Sequence, residues 1–262
     1  MMSGMVMLSF DVEEFDLPKE HGAAISVEKG AAVSAEGLKK ILAVLKANRV
    51  KATFFTTVDF AKEQPELVRR IVEEGHELAG HGGNHFITDI MDARECRNYL
   101  NENFGVTVDG WRHPRMQKVD YGKLHAYGYR YDSSMNPAFI LGRYNNLFAS
   151  RKPYIRKQIV EIPTSVATFL RIPLFWLSLH FFPIGMYLRM AEMSLKKTGY
   201  FATYFHPWEF TDLRGFQGIP GYVTHNGGDK LAKRLDRLVK ELKKRKHTFV
   251  LYRDFAKQIL TR

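Results

Sequence analysis

VMLSFDVE, residues 6–13, is an apolar run that closes on two carboxylates, Asp11 and Glu13. Its composition is typical of a buried β-strand, which puts both carboxylates at the C-terminal end of that strand. Eight β-rich runs of this kind occur, near residues 5–11, 51–58, 76–81, 107–112, 128–132, 158–163, 200–206 and 247–252. Helical spacing of apolar residues separates several of them, as in residues 38–45. The alternation predicts βα units and a mainly parallel α/β sheet.

The length and composition predict one domain. A chain of 262 residues with 45% hydrophobic residues can bury one substantial core, and barrels of this size are commonly single domains. No repeat, low-complexity stretch or linker divides the sequence. We therefore expect one domain over residues 1–262.

The single cysteine, Cys96, excludes an internal disulfide and favours a reducing compartment. Cys96 lies in a helical pattern and is expected to be buried rather than reactive. The first five residues contain no basic region and lead into no long apolar stretch, so we expect no signal peptide. The expected location is the cytoplasm, with the inner face of the membrane as an alternative.

Much of the net charge of +11 lies in residues 230–246, where leucines at helical spacing predict an amphipathic helix with a basic outer face. Such a face can bind nucleic acid, anionic lipid or an acidic glycan. It can equally be a solvated face that keeps the protein soluble, which is the interpretation we favour. Aromatic interleaving and nucleic-acid motifs are missing, so we expect no nucleic-acid partner.

Polar residues follow five of the predicted strands at the point where each strand ends. These residues are Asp11, His81, Arg112, Asp132 and His206. Catalytic groups collect at this end of the strands in a β/α barrel. Each residue also has an ordinary interpretation: a surface charge, an Asx-turn for Asp132, or a packed structural histidine for His206. The agreement of five strand ends favours a site.

Two histidines, His81 and His85, lie in the glycine-rich segment GHGGNH, residues 80–85. The glycines argue against a regular helix, so we expect the histidines on a tight loop. Together with a carboxylate they form the minimum ligand set for a hydrolytic divalent metal that keeps positions open for water and substrate. The competing interpretation is a pair of solvated loop histidines.

Five short motifs occur in order along the chain. They are SFDVE at residues 9–13, HGGNH at 81–85, RHP at 112–114, YDSS at 131–134 and YFHPWE at 204–209. In this order they resemble the motifs of polysaccharide deacetylases, the NodB-like carbohydrate esterase family 4. The branch with Asp-Val-Glu in the first motif and His-Pro-Trp-Glu in the last is the most similar. The resemblance implies an irregular (β/α) barrel of seven or eight strands.

The resemblance also implies a role for each catalytic residue. Asp11 would be the general base, and Arg112 would keep it ionised and oriented. The backbone N–H of Arg115 would help to form the oxyanion hole. His206 would be the general acid, with Asp132 orienting it.

The metal ligands implied by the resemblance are Glu13, His81 and His85. Zinc is the first expectation, and cobalt, nickel or iron also suit such ligands. The usual first motif has two adjacent aspartates, whereas here Val12 stands in the second place and the ligand would be Glu13. Glu13 lies two positions after Asp11 and is one methylene longer than aspartate. The resemblance therefore leaves open which metal this chain binds and with what affinity.

The activity implied by the resemblance is hydrolysis of the N-acetyl amide of an N-acetylated sugar in a polysaccharide or glycoconjugate, with release of acetate. One alternative is hydrolysis of a non-sugar amide or cyclic imide on the same scaffold. A second is a catalytically inactive relative that binds glycans. A third, a two-histidine-one-carboxylate iron oxygenase, fits the alternating strands and helices worst. The substrate sugar and the oligomeric state stay open.

One apolar segment, at about residues 166–190, is an insertion that the barrel pattern does not account for. Arg171, Pro173, His180 and Pro183 interrupt it, which argues against a membrane-spanning helix. It could be a buried crossover and helix, which we favour. It could instead be a lid over the cleft, or an interfacial patch that contacts the membrane and a lipid-linked glycan.

Overall fold

The computed structural model describes residues 3–84, 91–140, 144–217 and 219–261. The strands are β1 (Met5–Val12), β2 (Thr53–Thr56), β3 (Glu77–Gly80), β4 (Gly110–Trp111), β5 (Tyr131–Asp132), β6 (Phe139–Ile140), β7 (Tyr144–Asn145), β8 (Tyr154–Arg156), β9 (Ile159–Glu161), β10 (Tyr200–Phe205) and β11 (Thr248–Phe249). The α-helices are α1 (Leu17–Glu20), α2 (Val27–Asn48), α3 (Val58–Glu63), α4 (Pro65–Glu73), α5 (Met91–Phe104), α6 (Tyr121–Ala126), α7 (Trp176–Phe181), α8 (Ile184–Thr198), α9 (Gly221–Thr224), α10 (Asp229–Lys244) and α11 (Tyr252–Leu260). Two 3₁₀ turns cover Pro114–Met116 and Pro207–Phe210.

One curled sheet organises the chain. Its strand order within the described residues is β10-β1-β2-β3-β4-β5-β9-β8, and β11 pairs with the start of β1. Within this sheet, every pair of neighbouring strands is parallel except β8 and β9, which are antiparallel. Beyond β9, the amide of Ser165 donates to the carbonyl of Ala202 in β10 at 2.8 Å, which links the two ends of the sheet. The prediction of an irregular α/β barrel is confirmed.

The helices pack on the sheet through the apolar positions that their spacing indicated. In α2, Leu38, Ile41, Leu42 and Leu45 are all fully buried, and the Ser26 hydroxyl caps the helix by accepting from the amide of Lys29. In α10 the buried residues are four leucines and a valine, whereas its lysines face outward. The basic amphipathic helix is therefore as predicted.

Most strands lie where the sequence indicated them. Each of the eight β-rich runs contains a strand, and Cys96 is buried in α5. The short strands β6, β7 and β8 were not predicted. They have two or three residues each, which is too short for a period-two pattern to be recognisable.

The apolar insertion is mainly part of the core. Trp176 in α7 and Tyr187 in α8 are buried, as the favoured interpretation expected. The turn before α7 is not part of the core, because its Phe169 and Leu170 side chains are 72% and 84% exposed. Within the described residues, no helix is both long enough and apolar enough to cross a membrane.

Candidate active site

The predicted site residues converge because of the strand register. Phe10 pairs with Phe205 and Gly80 pairs with Trp111, so the residues that follow each of them emerge at the same edge of the sheet. A cavity of about 80 Å³ lies at this edge. Its lining includes Asp11, Glu13, His81, Arg115, Met116, Trp176, Tyr204, His206, Trp208 and Tyr222.

Asp11 is held by a fully buried arginine. Nη1 of Arg112 lies 2.5 Å from Oδ1 of Asp11 and also donates to the hydroxyl of Ser9 at 2.9 Å. The remaining guanidinium donors reach the Ser133 carbonyl and hydroxyl and the Tyr252 hydroxyl. Burial by itself lowers the pKa of Arg112, but the charge and hydrogen bond of Asp11 together with the Tyr252 and Tyr204 hydroxyls raise it above its ordinary value. The carboxylate therefore has a fixed orientation and a permanent counter-charge.

Glu13 faces His81 across the cavity. Nδ1 of His81 lies 2.8 Å from the carbonyl oxygen of Arg112, so it donates there and leaves the lone pair of Nε2 for another partner. Nε2 lies 3.3 Å from Oε2 of Glu13, and both side chains are almost completely buried. A lone pair opposite a carboxylate oxygen at this distance needs a proton or a cation, so the pair fits a metal ligand set. The third predicted ligand, His85, lies outside the described residues.

The donor set favours Glu13 over Asp11 as the metal ligand. Asp11 is committed to Arg112, whereas Glu13 lies beside His81. In residues 3–84, 91–140, 144–217 and 219–261, no group of three histidine, cysteine or carboxylate side chains has metal-binding geometry. His85 lies outside these residues, so the three-ligand assignment stays a prediction.

His206 is held between two aromatic residues and a carboxylate. Its ring stacks on that of Trp208 with the ring centres 4.9 Å apart, and the Trp176 ring lies nearly perpendicular to it with the ring centres 5.5 Å apart. Its Nδ1 donates to Oε1 of Glu209 at 2.7 Å, while Nε2 lies 3.9 Å from Oε1 of Glu13. Burial lowers the pKa of His206, but the hydrogen bond to Glu209 and the charge of Glu13 raise it above the ordinary value of 6.5.

The role assigned to Asp132 is wrong in this structure, because Glu209 orients His206. Asp132 lies on β5, which does not neighbour β10, and its Oδ1 accepts from the Ser134 hydroxyl at 2.6 Å. Asp132 also shares a hydrogen bond with Glu161, and burial raises the pKa of both carboxyls. The sequence contained a signal for Glu209, since it lies three residues after His206 in the last motif.

Arg115 lies in a turn with an unusual backbone. Arg115 and Met116 have φ of 59° and 54°, values that non-glycine residues adopt at a cost of roughly 1–3 kcal/mol each. The turn places Arg115 and Met116 in the lining of the cavity. Backbone strain of this kind often collects at functional sites, and the role of the Arg115 amide stays a prediction.

The fold and the site define a family. The model of the polysaccharide deacetylase family matches residues 4–133, which contain the first three motifs and all but the last residue of the fourth. The chain belongs to the polysaccharide deacetylases, the NodB-like carbohydrate esterase family 4.

The comparisons with individual proteins agree with this family. The chain is 48% identical to the peptidoglycan-N-acetylmuramic acid deacetylase PdaA of Bacillus subtilis over 46 residues. These residues make up 18% of each chain. A chitooligosaccharide deacetylase of Sinorhizobium fredii is also 48% identical over 46 residues, 18% of this chain and 21% of that one. These matches thus span about a fifth of each relative's length. A Mycobacterium smegmatis structure assigned to the polysaccharide deacetylases has a TM-score of 0.57 and 19% identity, covering 93% of this chain and 91% of the other. This last similarity concerns the fold.

Proposed function

We propose that this chain hydrolyses the N-acetyl amide of an N-acetylated sugar in a polysaccharide or glycoconjugate and releases acetate. One observation carries the proposal: an Arg112-oriented carboxylate, a Glu13–His81 pair and a Glu209-bound His206 line one cavity. The deacetylases named above act on sugars of this kind, which supports the substrate class.

The residues divide the work of amide hydrolysis. Asp11, oriented by its contact with Arg112, takes a proton from the attacking water. The backbone N–H of Arg115 stabilises the charge that develops on the carbonyl oxygen. His206 gives a proton to the leaving nitrogen, since an amide nitrogen leaves poorly as an anion. The hydrogen bond from its Nδ1 to Glu209 supports the protonated form that this step needs.

Glu13 and His81, with His85 as the third ligand, would hold one divalent metal ion, with zinc as the first expectation. A bound divalent metal lowers the pKa of water and polarises a carbonyl. The fixed Nδ1–H of His81 supports this assignment, because it directs Nε2 toward Glu13.

A second cavity gives room for a neighbouring part of the glycan. It measures about 540 Å³ and shares Met116 with the cavity of the site. Tyr121 and Tyr154 line it, and Arg156 and Lys157 add positive charge. We propose that residues of the sugar chain on one side of the reacting amide lie here.

The proposed location is the cytoplasm, supported by the single buried thiol of Cys96. A peripheral contact with an anionic membrane surface, which would bring the enzyme to a lipid-linked glycan, is supported by the exposed Phe169 and Leu170 and by the basic face of α10.

The test is acetate release from N-acetylhexosamine oligomers, measured on metal-free and zinc-reconstituted protein. We expect release that depends on zinc, and we expect loss of both zinc and activity in His81→Ala. His21→Ala, which removes an exposed histidine, is the matched control. A protein that binds zinc and releases acetate from no N-acetylated glycan would contradict the proposal and favour a non-sugar amide. A protein without metal would favour a glycan-binding role.

A further inference from the structure

The buried histidine of α7 contacts the carboxylate that holds His206. Nε2 of His180 lies 3.0 Å from Oε2 of Glu209, and both side chains are fully buried. The other oxygen, Oε1, accepts from Nδ1 of His206 at 2.7 Å and from its backbone N–H at 2.6 Å. We propose that His180 is a positioning residue that fixes the His206 ring through Glu209. This inference rests on the proposed function, in which His206 is the proton donor.

One backbone carbonyl determines the hydrogen-bond roles in this chain of contacts. Nδ1 of His180 lies 2.6 Å from the carbonyl oxygen of His225, and because a carbonyl only accepts, Nδ1 carries a proton. Nε2 then meets Oε2 of Glu209, where two acceptors can lie at 3.0 Å only if one of them is protonated. The contact therefore holds a proton and directs Oε1 of Glu209 toward His206.

The position of α7 depends on its tertiary contacts. The helix has six residues and no side-chain cap at its N-terminus. Arg234 of α10 donates to the carbonyl of Leu179 at 2.7 Å and to that of Phe182, and Asn226 donates to the carbonyl of His180 at 2.8 Å. Two other parts of the chain thus hold His180 at a fixed place opposite Glu209.

If the His180–Glu209 pair only connected α7 to the last motif, its burial would bring little gain in stability. Burying an ionisable pair removes both groups from water, and apolar residues of the same volume are often equally stabilising. Here the pair ends on the catalytic candidate His206, whose Nε2 faces the cavity. The chain offers a comparison: His247 and Glu192 form a partly buried contact at 2.8 Å, and neither lines the cavity of the site.

Three variants separate positioning from packing. His180→Gln keeps an N–H donor toward Glu209, His180→Phe keeps the ring shape without a donor, and His247→Phe removes the comparison pair. We expect kcat for acetate release to fall at least tenfold in His180→Phe, with KM changed less than twofold. His180→Gln should stay within about threefold of the wild type, and His247→Phe should lower Tm and leave kcat unchanged. Equal kcat values in folded His180→Phe and wild type would overturn the proposal.

A second measurement does not depend on activity. In nuclear magnetic resonance spectra of ¹⁵N-histidine-labelled protein, we expect a slowly exchanging Nδ1–H resonance of His206 in the wild type and in His180→Gln, and its loss in His180→Phe. An unchanged resonance in His180→Phe would overturn the positioning role. If the wild type releases no acetate from any N-acetylated glycan, the proposed function fails, and the resonance alone decides whether His180 fixes His206.

Discussion

Arg112 shows how much one side chain can organise. It is fully buried, contacts Asp11, Ser9, Ser133 and Tyr252, and lies 4.0 Å from the centre of the Phe55 ring. A buried guanidinium requires a counter-charge, and Asp11 supplies it. The same contact gives Asp11 the orientation that a general base requires.

Asp11→Asn separates base catalysis from metal binding. Asparagine keeps the shape and one acceptor but cannot take a proton, so we expect the rate of acetate release to fall on the order of a hundredfold or more. Metal content, measured by mass spectrometry, should stay at the wild-type level because the proposed ligand is Glu13 and not Asp11. Loss of metal in this variant would make Asp11 a ligand and would contradict the base assignment.

A buried carboxyl outside the site should link stability to pH. Burial raises the pKa of Glu77 to about 7, although hydrogen bonds from Thr53, Tyr131 and the amide of Arg253 lower it. Between the ordinary value of 4.5 and about 7, the native state binds more protons than the unfolded state, so the stability from this group is lost as pH rises. The loss is on the order of 3 kcal/mol.

Glu77→Gln should remove that loss. The amide can accept from the Arg253 N–H and donate to the Tyr131 hydroxyl, so the contacts survive without a charge. We expect the free energy of unfolding of the variant, relative to wild type, to rise between pH 5 and pH 8 in urea titrations. A difference that is the same at both pH values would show that Glu77 does not titrate in this range.

At the scale of the element, α10 has two faces with different roles. Its leucines pack on the core and its lysines face outward, but Arg234 is half-buried and reaches the carboxyl end of α7. The basic helix is therefore partly structural. Its contact with α7 connects it to the site through His180.

Arg234→Leu should loosen α7 by removing the hydrogen bonds at its C-terminal end. Each hydrogen bond from a charged donor contributes roughly 1.5–3 kcal/mol, so we expect a lower Tm and a smaller fall in kcat than in His180→Phe. Arg237→Leu, an exposed arginine on the same helix, is the matched control and should change neither. Equal thermal stability of the two variants would contradict the anchoring role.

At the scale of the whole molecule, the positive net charge and the exposed apolar turn are the two features that support a peripheral contact with a membrane surface. The net charge is +11, and the exposed Phe169 and Leu170 lie at the tip of a turn in which Leu170 and Arg171 have positive φ. Anionic lipid attracts each basic residue near the surface by about 1 kcal/mol. The burial of Trp176 restricts the apolar contribution to the turn.

Co-sedimentation with liposomes tests the membrane contact. We expect binding to vesicles that contain anionic lipid, weaker binding at high salt, and reduced binding of a Phe169→Ser, Leu170→Ser double variant. A Leu260→Ser variant, which removes an exposed apolar side chain on α11, is the control. No binding at low salt would exclude this contact and leave the basic face as a solvated surface.

The sequence by itself determined the alternation of strands and helices and the strand ends that carry Asp11, His81, Arg112 and His206. The alternation and the strand ends follow from local periodicity, because a buried strand is apolar until it ends. A parallel barrel then brings the C-terminal ends of its strands to one edge. Only the tertiary structure decided which carboxylate orients His206. Asp132 and Glu209 are both acidic residues in motifs, and the turn after β10 brings Glu209 within 2.7 Å of the ring. His180 could not be identified in advance, since within an apolar run a histidine has no recognisable partner until folding brings it to a residue 29 positions away.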